Sequence, residues 1–427
     1  MMKRTIFFIS LLFVVFIVAG LSQEKNPEII AIKNAKIVPV VGQTLQSGIL
    51  LIKNGLIEAV GKDVDIPSGA KVIDAEGLTA FPGMIDSACT LGLQEIGSVP
   101  ATIDVSETGR INPQVFSIEA VRPDSVHIPI SRSNGITTAL VVPAGGLIAG
   151  KSSLIRLVGY TPDELLIKSP VALHIEFPSG RSSRRQSSTS TQDQASRQIV
   201  ELKDLLKKAR YYQKRNEAAK KNSQLALPEF DEVLENLLPV INGDLSVMIS
   251  VHAEQDILEA IKFVKDENLK AIFYGVTYGW KIPEKIKESG IPVVFASLYG
   301  QPSKWEDGYD ALYRNPSVLS KAGVKIAFSS QSASLAKDLP YHAGKAAAFG
   351  LDKQEALRAV TIYPAEIFGM GDKLGSLEKG KIANVVLADG DILELGTNVT
   401  HVFIDGIEMD MSSLYTELLD KFQKRHK

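Results

Sequence analysis

The stretch Phe81-Pro82-Gly83-Met84-Ile85-Asp86 separates two patterns in the sequence. Before it, residues 29–80 form short β-rich segments. Two of these flank Lys53-Asn54-Gly55, a hairpin signal because Asn-Gly tolerates the positive φ values of tight turns. After it, apolar segments of strand length alternate with helical stretches. This alternation is typical of a parallel α/β sheet, whose strands are buried on both faces.

Apolar segments of strand length continue to the C-terminal region. Seven of them, from Phe81 onward, predict strands at residues 81–86, 136–142, 171–177, 247–253, 271–275, 292–297 and 325–330. An eighth strand is expected within residues 154–167. Near the C-terminal end, residues 383–387 and 401–404 predict two further strands without a helix between them.

These patterns predict an α/β fold in which a (β/α)8 TIM-like barrel is inserted into a small composite β-sandwich domain formed by both termini. The barrel is assigned to residues 81–372. The β domain is assigned to residues 29–80 together with 373–410.

A polar and basic stretch that includes Arg181, Arg184 and Arg185 interrupts the barrel pattern. A charged amphipathic helix is predicted after it, at residues 197–222, so the whole of about 178–230 is expected to be an insertion on one barrel face. The arginines fit either an anion or partner site or a solvated loop.

The composition excludes several classes of protein. The chain has 427 residues, 45% of them hydrophobic, which is enough to bury a large core. Its 47 Lys and Arg balance 49 Asp and Glu, so no overall charge favours binding to nucleic acid. Partners must therefore be argued from individual sites.

The N-terminal sequence predicts export. Lys3 and Arg4 precede an apolar run at residues 6–21, so residues 1–22 are expected to be a signal peptide. After its removal the protein would be periplasmic or secreted and free of the membrane; the alternative is an uncleaved N-terminal anchor. Cys89 is the single cysteine, so no internal disulfide can form.

The motifs of the chain, taken in order, resemble those of the amidohydrolase superfamily, in its imidazolonepropionase-like exported branch. The 81–86 stretch is similar to that family's entry into the first barrel strand. Further matches lie at Val251-His252-Ala253-Glu254 and at residues 355–366, 375–381 and 402–406. The resemblance extends from about residue 29 to residue 409.

The resemblance implies hydrolysis of C–N bonds in non-peptide, amide-like compounds. Water bound to one or two divalent metal ions is the nucleophile in such a reaction, and a carboxylate transfers the proton. The family places ligands as a His pair on strand one, a Lys or carboxylate on strand four, His on strands five and six, and Asp on strand eight. The matching positions here hold Ala88, Thr90, His252, Gly275 or its neighbours, and Ser330 or Gln331. Only His252 is a family-type ligand.

Strand four offers a rearranged alternative. His174 and Glu176 lie at period two and therefore share one face of the strand, where they could join His252 around a single divalent ion such as Zn²⁺. Otherwise His174 is a hydrogen-bonded core residue. Asp86 and Asp338 are weak candidates for the proton shuttle, and no other catalytic residue can be assigned.

The segment Gly145 to Ser152 matches the phosphate-binding pattern Gly-x4-Gly-Lys-Ser. That motif requires a helix directly after it, whereas residues 153–159 alternate in a way that predicts a strand. No nucleotide cofactor is therefore expected.

Two functions remain open. One is an exported metal-dependent hydrolase. The other is a non-catalytic pseudoenzyme that binds a small-molecule ligand or an active partner chain, as a homo-oligomer or as a hetero-oligomer with an active relative. A scaffold role without a pocket fits less well, because it gives His252-Ala253-Glu254 no purpose beyond packing.

Overall fold

The computed structural model describes residues 29–180, 188–302 and 304–426. The expected signal peptide at residues 1–22 and the arginines of the insertion, Arg181, Arg184 and Arg185, lie outside these ranges. The described part is a mixed α/β structure. Its strands are β1 Ile29–Ile37, β2 Leu45–Lys53, β3 Leu56–Gly61, β4 Lys71–Asp74, β5 Thr79–Pro82, β6 Met84–Cys89, β7 Ile136–Val141, β8 Ile148–Lys151, β9 Ser153–Arg156, β10 Leu166–Lys168, β11 Ala172–Glu176, β12 Ser246–Val251, β13 Ala271–Gly275, β14 Val293–Phe295, β15 Ile326–Phe328, β16 Val385–Ala388, β17 Val399–Ile404 and β18 Ile407–Glu408.

Helices are concentrated between the strands of the middle of the chain. They are α1 His127–Arg132, α2 Pro162–Leu165, α3 Ser188–Lys221, α4 Glu232–Ile241, α5 Glu254–Glu267, α6 Pro283–Ser289, α7 Ala311–Lys321, α8 Leu339–Ala348, α9 Lys353–Arg358, α10 Ile362–Ile367 and α11 Leu414–Gln423. No helix in the described ranges is long and apolar enough to cross a membrane.

Strands from both ends of the chain share one sheet. Its order is β18-β17-β16-β5-β1-β2-β3, with β4 paired to β1. The two ends meet where β5 pairs antiparallel with β16, Phe81 lying opposite Val386. The predicted Asn54-Gly55 turn joins β2 to β3, and both residues adopt positive φ, 53° and 79°. Strands of the two terminal β segments are therefore hydrogen-bonded within one sheet.

Parallel strands form the middle of the chain. β11 to β15 pair in sequence order, each parallel to the next, and β6 pairs parallel with β7. Six of the seven predicted strands are present, and the one at 271–275 matches residue for residue. The stretch 81–86, predicted as one barrel strand, is instead divided between β5 of the terminal sheet and β6. The chain just after β15 lies beside β6. There the amide of Gln331 donates to the carbonyl of Ala88, a residue of β6, at 3.0 Å.

One part of the barrel region differs from the predicted parallel order. β8 pairs antiparallel with β11, and β9 pairs antiparallel with β7, with Ser152 between β8 and β9. The connection from β7 to β8, residues 142–147, is too short for the crossover that a parallel strand requires. The expected eighth strand within 154–167 is thus β9, which begins at Ser153 and runs against its neighbours.

Eight of the ten strands from β6 to β15 each contribute a side chain to one apolar cluster. Its members include Ile85, Leu140, Leu154, Ala172, Met248, Ile272, Val294 and Ala327. These side chains are buried and come from β6, β7, β9, β11, β12, β13, β14 and β15 in turn. A layer of this kind is typical of the packed interior of a barrel.

The predicted insertion at about 178–230 contains α3, and α4 follows it. The helix expected at 197–222 is confirmed, and it begins earlier, at Ser188. α3 is held against α5 by Arg210, whose Nη1 lies 2.6 Å from Oε2 of Glu267. The segment 145–152 leads into β9 and not into a helix, and Lys151 donates to Oδ1 of Asn236 at 2.6 Å. The lysine of the phosphate-binding pattern is therefore part of the packing.

Leu387 provides a test of the shared sheet. It is fully buried in β16, opposite Ala80 of β5. We expect Leu387→Ala to lower the free energy of unfolding by about 2–5 kcal/mol, because truncation leaves a cavity between strands from the two ends of the chain. Urea denaturation measures this change. Leu395→Ala is the matched control, since Leu395 is 78% exposed and its loss is expected to change stability by less than about 0.5 kcal/mol. Equal effects would contradict the assigned packing.

Candidate functional site

His252 lies at the carboxyl end of β12, one residue after the strand ends and two before α5 begins. Its side chain is exposed, and Nδ1 is 2.9 Å from Oγ1 of Thr277, which follows β13. The carboxyl ends of neighbouring parallel strands are where α/β folds place their ligands. The position predicted for His252 therefore agrees with a functional site.

Gly275, the last residue of β13, lies directly against the ring of His252. A Cβ atom at this position would be 2.5 Å from Cε1 and 2.8 Å from Nδ1 of His252. The backbone there also has φ of 97°, which favours glycine. A histidine cannot be placed at Gly275 while the His252 ring keeps this position, so the pair of imidazoles that the resemblance implies on strands five and six does not fit here.

His174 and Glu176 occupy β11 opposite Met248 and Ser250 of β12. The Nε2 atom of His174 is shielded from solvent and has no hydrogen-bond partner among the described residues. Burial lowers the pKa of His174 to about 3, so the imidazole is neutral at pH 7. Glu176, in contrast, is exposed at the end of the strand.

The structure does not gather these residues into a metal-binding group. Within residues 29–180, 188–302 and 304–426, no three side chains of His, Cys, Asp or Glu lie close enough together to hold a metal ion. The first-strand positions also provide no imidazole: Ala88 is buried, and Oγ1 of Thr90 accepts from the amide of Ala333 at 3.0 Å. The residues present do not fit the metal centre that the resemblance implies, and no reaction step is derived through it.

Asp86 is fully buried and links β6 to the residues after β15. Its Oδ1 accepts from the amides of Ser330 at 3.0 Å and Ala88 at 3.3 Å, and its Oδ2 accepts from the hydroxyl of Ser330. Burial raises the pKa of Asp86 to about 7, although these donors act in the opposite direction. No local sequence pattern indicates this pairing, because residues 86 and 330 are far apart in the chain.

Asp338, the other weak candidate for the proton-transferring carboxylate, is paired with a charged side chain. Its Oδ1 lies 3.1 Å from Nζ of Lys337, in a short turn that leads into α8. The neighbouring His342 is buried, accepts from the amide of Leu298 at 3.3 Å, and packs its ring against Tyr299. Burial lowers the pKa of His342 to about 4. This histidine therefore contributes to packing.

Two further groups lie close to Asp86. Cys89 is buried, and burial raises the pKa of its thiol, which disfavours the reactive thiolate. Tyr274 packs against the apolar cluster of the strands, and burial raises the pKa of its phenol. Sequence reasoning missed Tyr274, although it alternates with Ile272 along β13 and so shares its face.

An open cavity of about 770 Å³ lies beside the carboxyl end of β12. It is lined by the first turns of α5, from Ala253 to Lys262, and by residues of the insertion that include Gln192 and Ser196. Cavities of this size accommodate small organic molecules. The insertion therefore helps to form a wall next to His252.

The buried Asp86 predicts a specific pH dependence of stability. Because its pKa is higher in the folded protein than in the unfolded chain, its contribution is present at low pH and is lost as the pH rises from about 4 to about 7. We expect Asp86→Asn to remove this decline, which amounts to at most about 1.4 kcal/mol for each pH unit. Urea denaturation from pH 4 to 8 measures it. Asp63→Asn, at an exposed position, is the control; identical slopes in the wild type and Asp86→Asn would refute the assignment.

Comparisons with known proteins agree with this architecture. The sequence profile of the Amidohydrolase family matches residues 282–409. The chain is 24% identical to Amidohydrolase tasK of Hapsidospora irregularis over 86% of its own length and 40% of that protein. It is also 24% identical to an adenine deaminase of Desulforamulus reducens, over 91% of this chain and 60% of the relative. The chain thus spans about half the length of these curated relatives.

A solved structure extends the likeness to the whole fold. An amidohydrolase from Thermotoga maritima superposes with a TM-score of 0.80 and 26% identity, covering 89% of this chain and 99% of that one. A TIM-barrel fold is implied by this similarity. Together with the motifs along the chain, these similarities support placing the protein in the amidohydrolase superfamily.

Proposed function

We propose that the chain is an exported amidohydrolase-superfamily protein that binds small molecules with an amide-like C–N bond and has weak or no hydrolytic activity. The family supports binding of a small molecule at the carboxyl ends of the strands. The identity of the residues at the family's ligand positions supports the reduced activity. Stable catalytic zinc sites use about three protein ligands, and here the motif-matched positions supply His252 alone.

The contact between Gly275 and His252 is the observation that carries this proposal. A Cβ atom at Gly275 would lie 2.5 Å from Cε1 of His252, which supports the absence of a second imidazole at this position. His252 instead bonds Thr277. A histidine–hydroxyl pair at the carboxyl ends of two neighbouring strands is suited to orienting a polar ligand through hydrogen bonds.

A second function, a hydrolase with one divalent ion, is supported by a different observation. The unpartnered Nε2 of His174 is a buried nitrogen with a free lone pair or proton, and such atoms usually have a partner. A site formed by His174, Glu176 and His252 would require these side chains to move together from the positions described above.

We also infer that the strands from β6 to β15 close into a barrel, and that the shared terminal sheet forms the composite β-sandwich domain. The single apolar layer with one side chain from each segment supports closure. The bond from Gln331 to Ala88 supports the pairing of the last strand with the first. The proposed limits of the barrel are residues 81–372, and those of the β domain are 29–80 and 373–410.

Export is proposed on the pattern of residues 1–22. The native protein is then expected to begin near residue 23. Intact-mass measurement on protein from its native host tests this, and a mass that includes Met1 would support the N-terminal anchor.

Metal analysis combined with assays separates the two functions. We expect the purified chain, dialysed after exposure to Zn²⁺, to retain less than one equivalent of metal, because one imidazole does not hold Zn²⁺ against water. Hydrolysis of a panel of N-acyl amines, lactams and cyclic imides is expected to be the same for wild type and His252→Ala. Thermal-shift titration with the same compounds is expected to show binding that His252→Ala weakens about tenfold.

The surface variant His401→Ala serves as the matched control, since His401 lies in β17 of the terminal sheet. Two metal equivalents, or turnover abolished by His252→Ala and retained by His401→Ala, would overturn the proposal. One equivalent that is lost in both His174→Ala and His252→Ala would establish the single-ion hydrolase.

A further inference from the structure

The C-terminal helix α11, Leu414–Gln423, carries an exposed apolar face. None of its residues is buried. Its large apolar side chains are all partly open to solvent: Leu414 41%, Tyr415 50%, Leu418 37%, Leu419 56% and Phe422 48%. Their spacing of three and four residues places them on one side of the helix. This is the arrangement of a helix that packs against a partner.

The helix is short but its start is well defined. Ser413 and Thr416 form a capping box, in which each side chain accepts from the backbone amide of the other residue. Helices of this length are marginal in water without packing of their apolar face. The capping residues therefore favour a helix whose apolar face is not covered by the described part of the chain.

Charges along one edge of the apolar face indicate which partner fits. Glu417, Lys421 and Lys424 lie on the same flank, since they are separated by three or four residues. When two identical helices pair antiparallel, each flank faces the same flank of the other helix. Glu417 would then face Lys421 and Lys424 of the second copy, and the symmetry of the pair makes this contact twice.

In a parallel pair of helices, these charges would not face each other. The Glu417 flank would lie against the opposite edge of the second helix, which carries Thr416 and Gln423. We propose that α11 pairs antiparallel with α11 of a second copy of this chain, so that the apolar faces meet and the two charged flanks complement each other. This inference does not depend on the function proposed for the site.

The expected dimer is reversible. Two helices of this length bury less than the ~1,200–2,000 Å² typical of stable interfaces, so the population of dimer depends on protein concentration. Sedimentation velocity over a concentration series, with the full chain and with a chain that lacks residues 1–22, measures the dissociation constant. Both chains are expected to dimerise.

Charge reversal tests the antiparallel geometry. Glu417→Lys alone, and Lys421→Glu with Lys424→Glu, each place like charges opposite one another and are expected to weaken the dimer about tenfold or more. The triple variant with all three changes restores opposite charges and is expected to recover the wild-type dissociation constant. An equimolar mixture of the two weakened proteins is expected to form a mixed dimer.

Controls separate pairing from folding. These positions are exposed, so circular dichroism and thermal unfolding are expected to match the wild type. Asp163→Lys, an exposed charge change on α2, should leave the dissociation constant unchanged, and Leu419→Asp should abolish the dimer.

Four results would overturn the inference. They are a monomer at every concentration, a dimer insensitive to Leu419→Asp, failure of the triple variant to recover the dimer, or a monomer whose α11 binds vesicles of anionic phospholipid. The last result would assign the apolar face to a membrane surface.

Discussion

A fully buried carboxyl group joins the first parallel strand to the turn after the last one. Asp86 accepts hydrogen bonds from Ser330 and Ala88 at a place where burial alone would be costly for a charge. The bonds from Ser330 fix the chain after β15 beside β6, and Gln331 continues the contact to the carbonyl of Ala88. This junction brings the two ends of the strand series from β6 to β15 together.

Local sequence patterns are sufficient to predict most of the strands, because each is a short apolar run with β-branched residues and a clear end. The Asn54-Gly55 turn and the strand after Ser152 were predictable for the same reason. The antiparallel direction of β8 and β9 does not follow from the apolar pattern, because it depends on the short connection at residues 142–147. The sequence pattern also does not predict the change of partner at Ser152. Before it, β8 pairs with β11, and after it, β9 pairs with β7.

For the candidate site, the sequence predicts that His252 lies at the end of a strand. It also shows that Ala88 and Thr90 provide no imidazole. It could not foresee contacts between residues that are distant in the chain. The Asp86–Ser330 pair and the Gly275–His252 contact each depend on how strands and loops meet in three dimensions. The fold nevertheless persists without the family's ligands, because the apolar layer of the strands and the shared terminal sheet provide the packing.

The contact between Gly275 and the ring of His252 limits how this protein can change by single substitutions. A side chain larger than hydrogen at residue 275 requires the imidazole of His252 to rotate away first, and that rotation breaks its bond to Thr277. Gly275, His252 and Thr277 are therefore coupled, and a substitution at Gly275 is expected to disturb the ends of both strands rather than a single side chain.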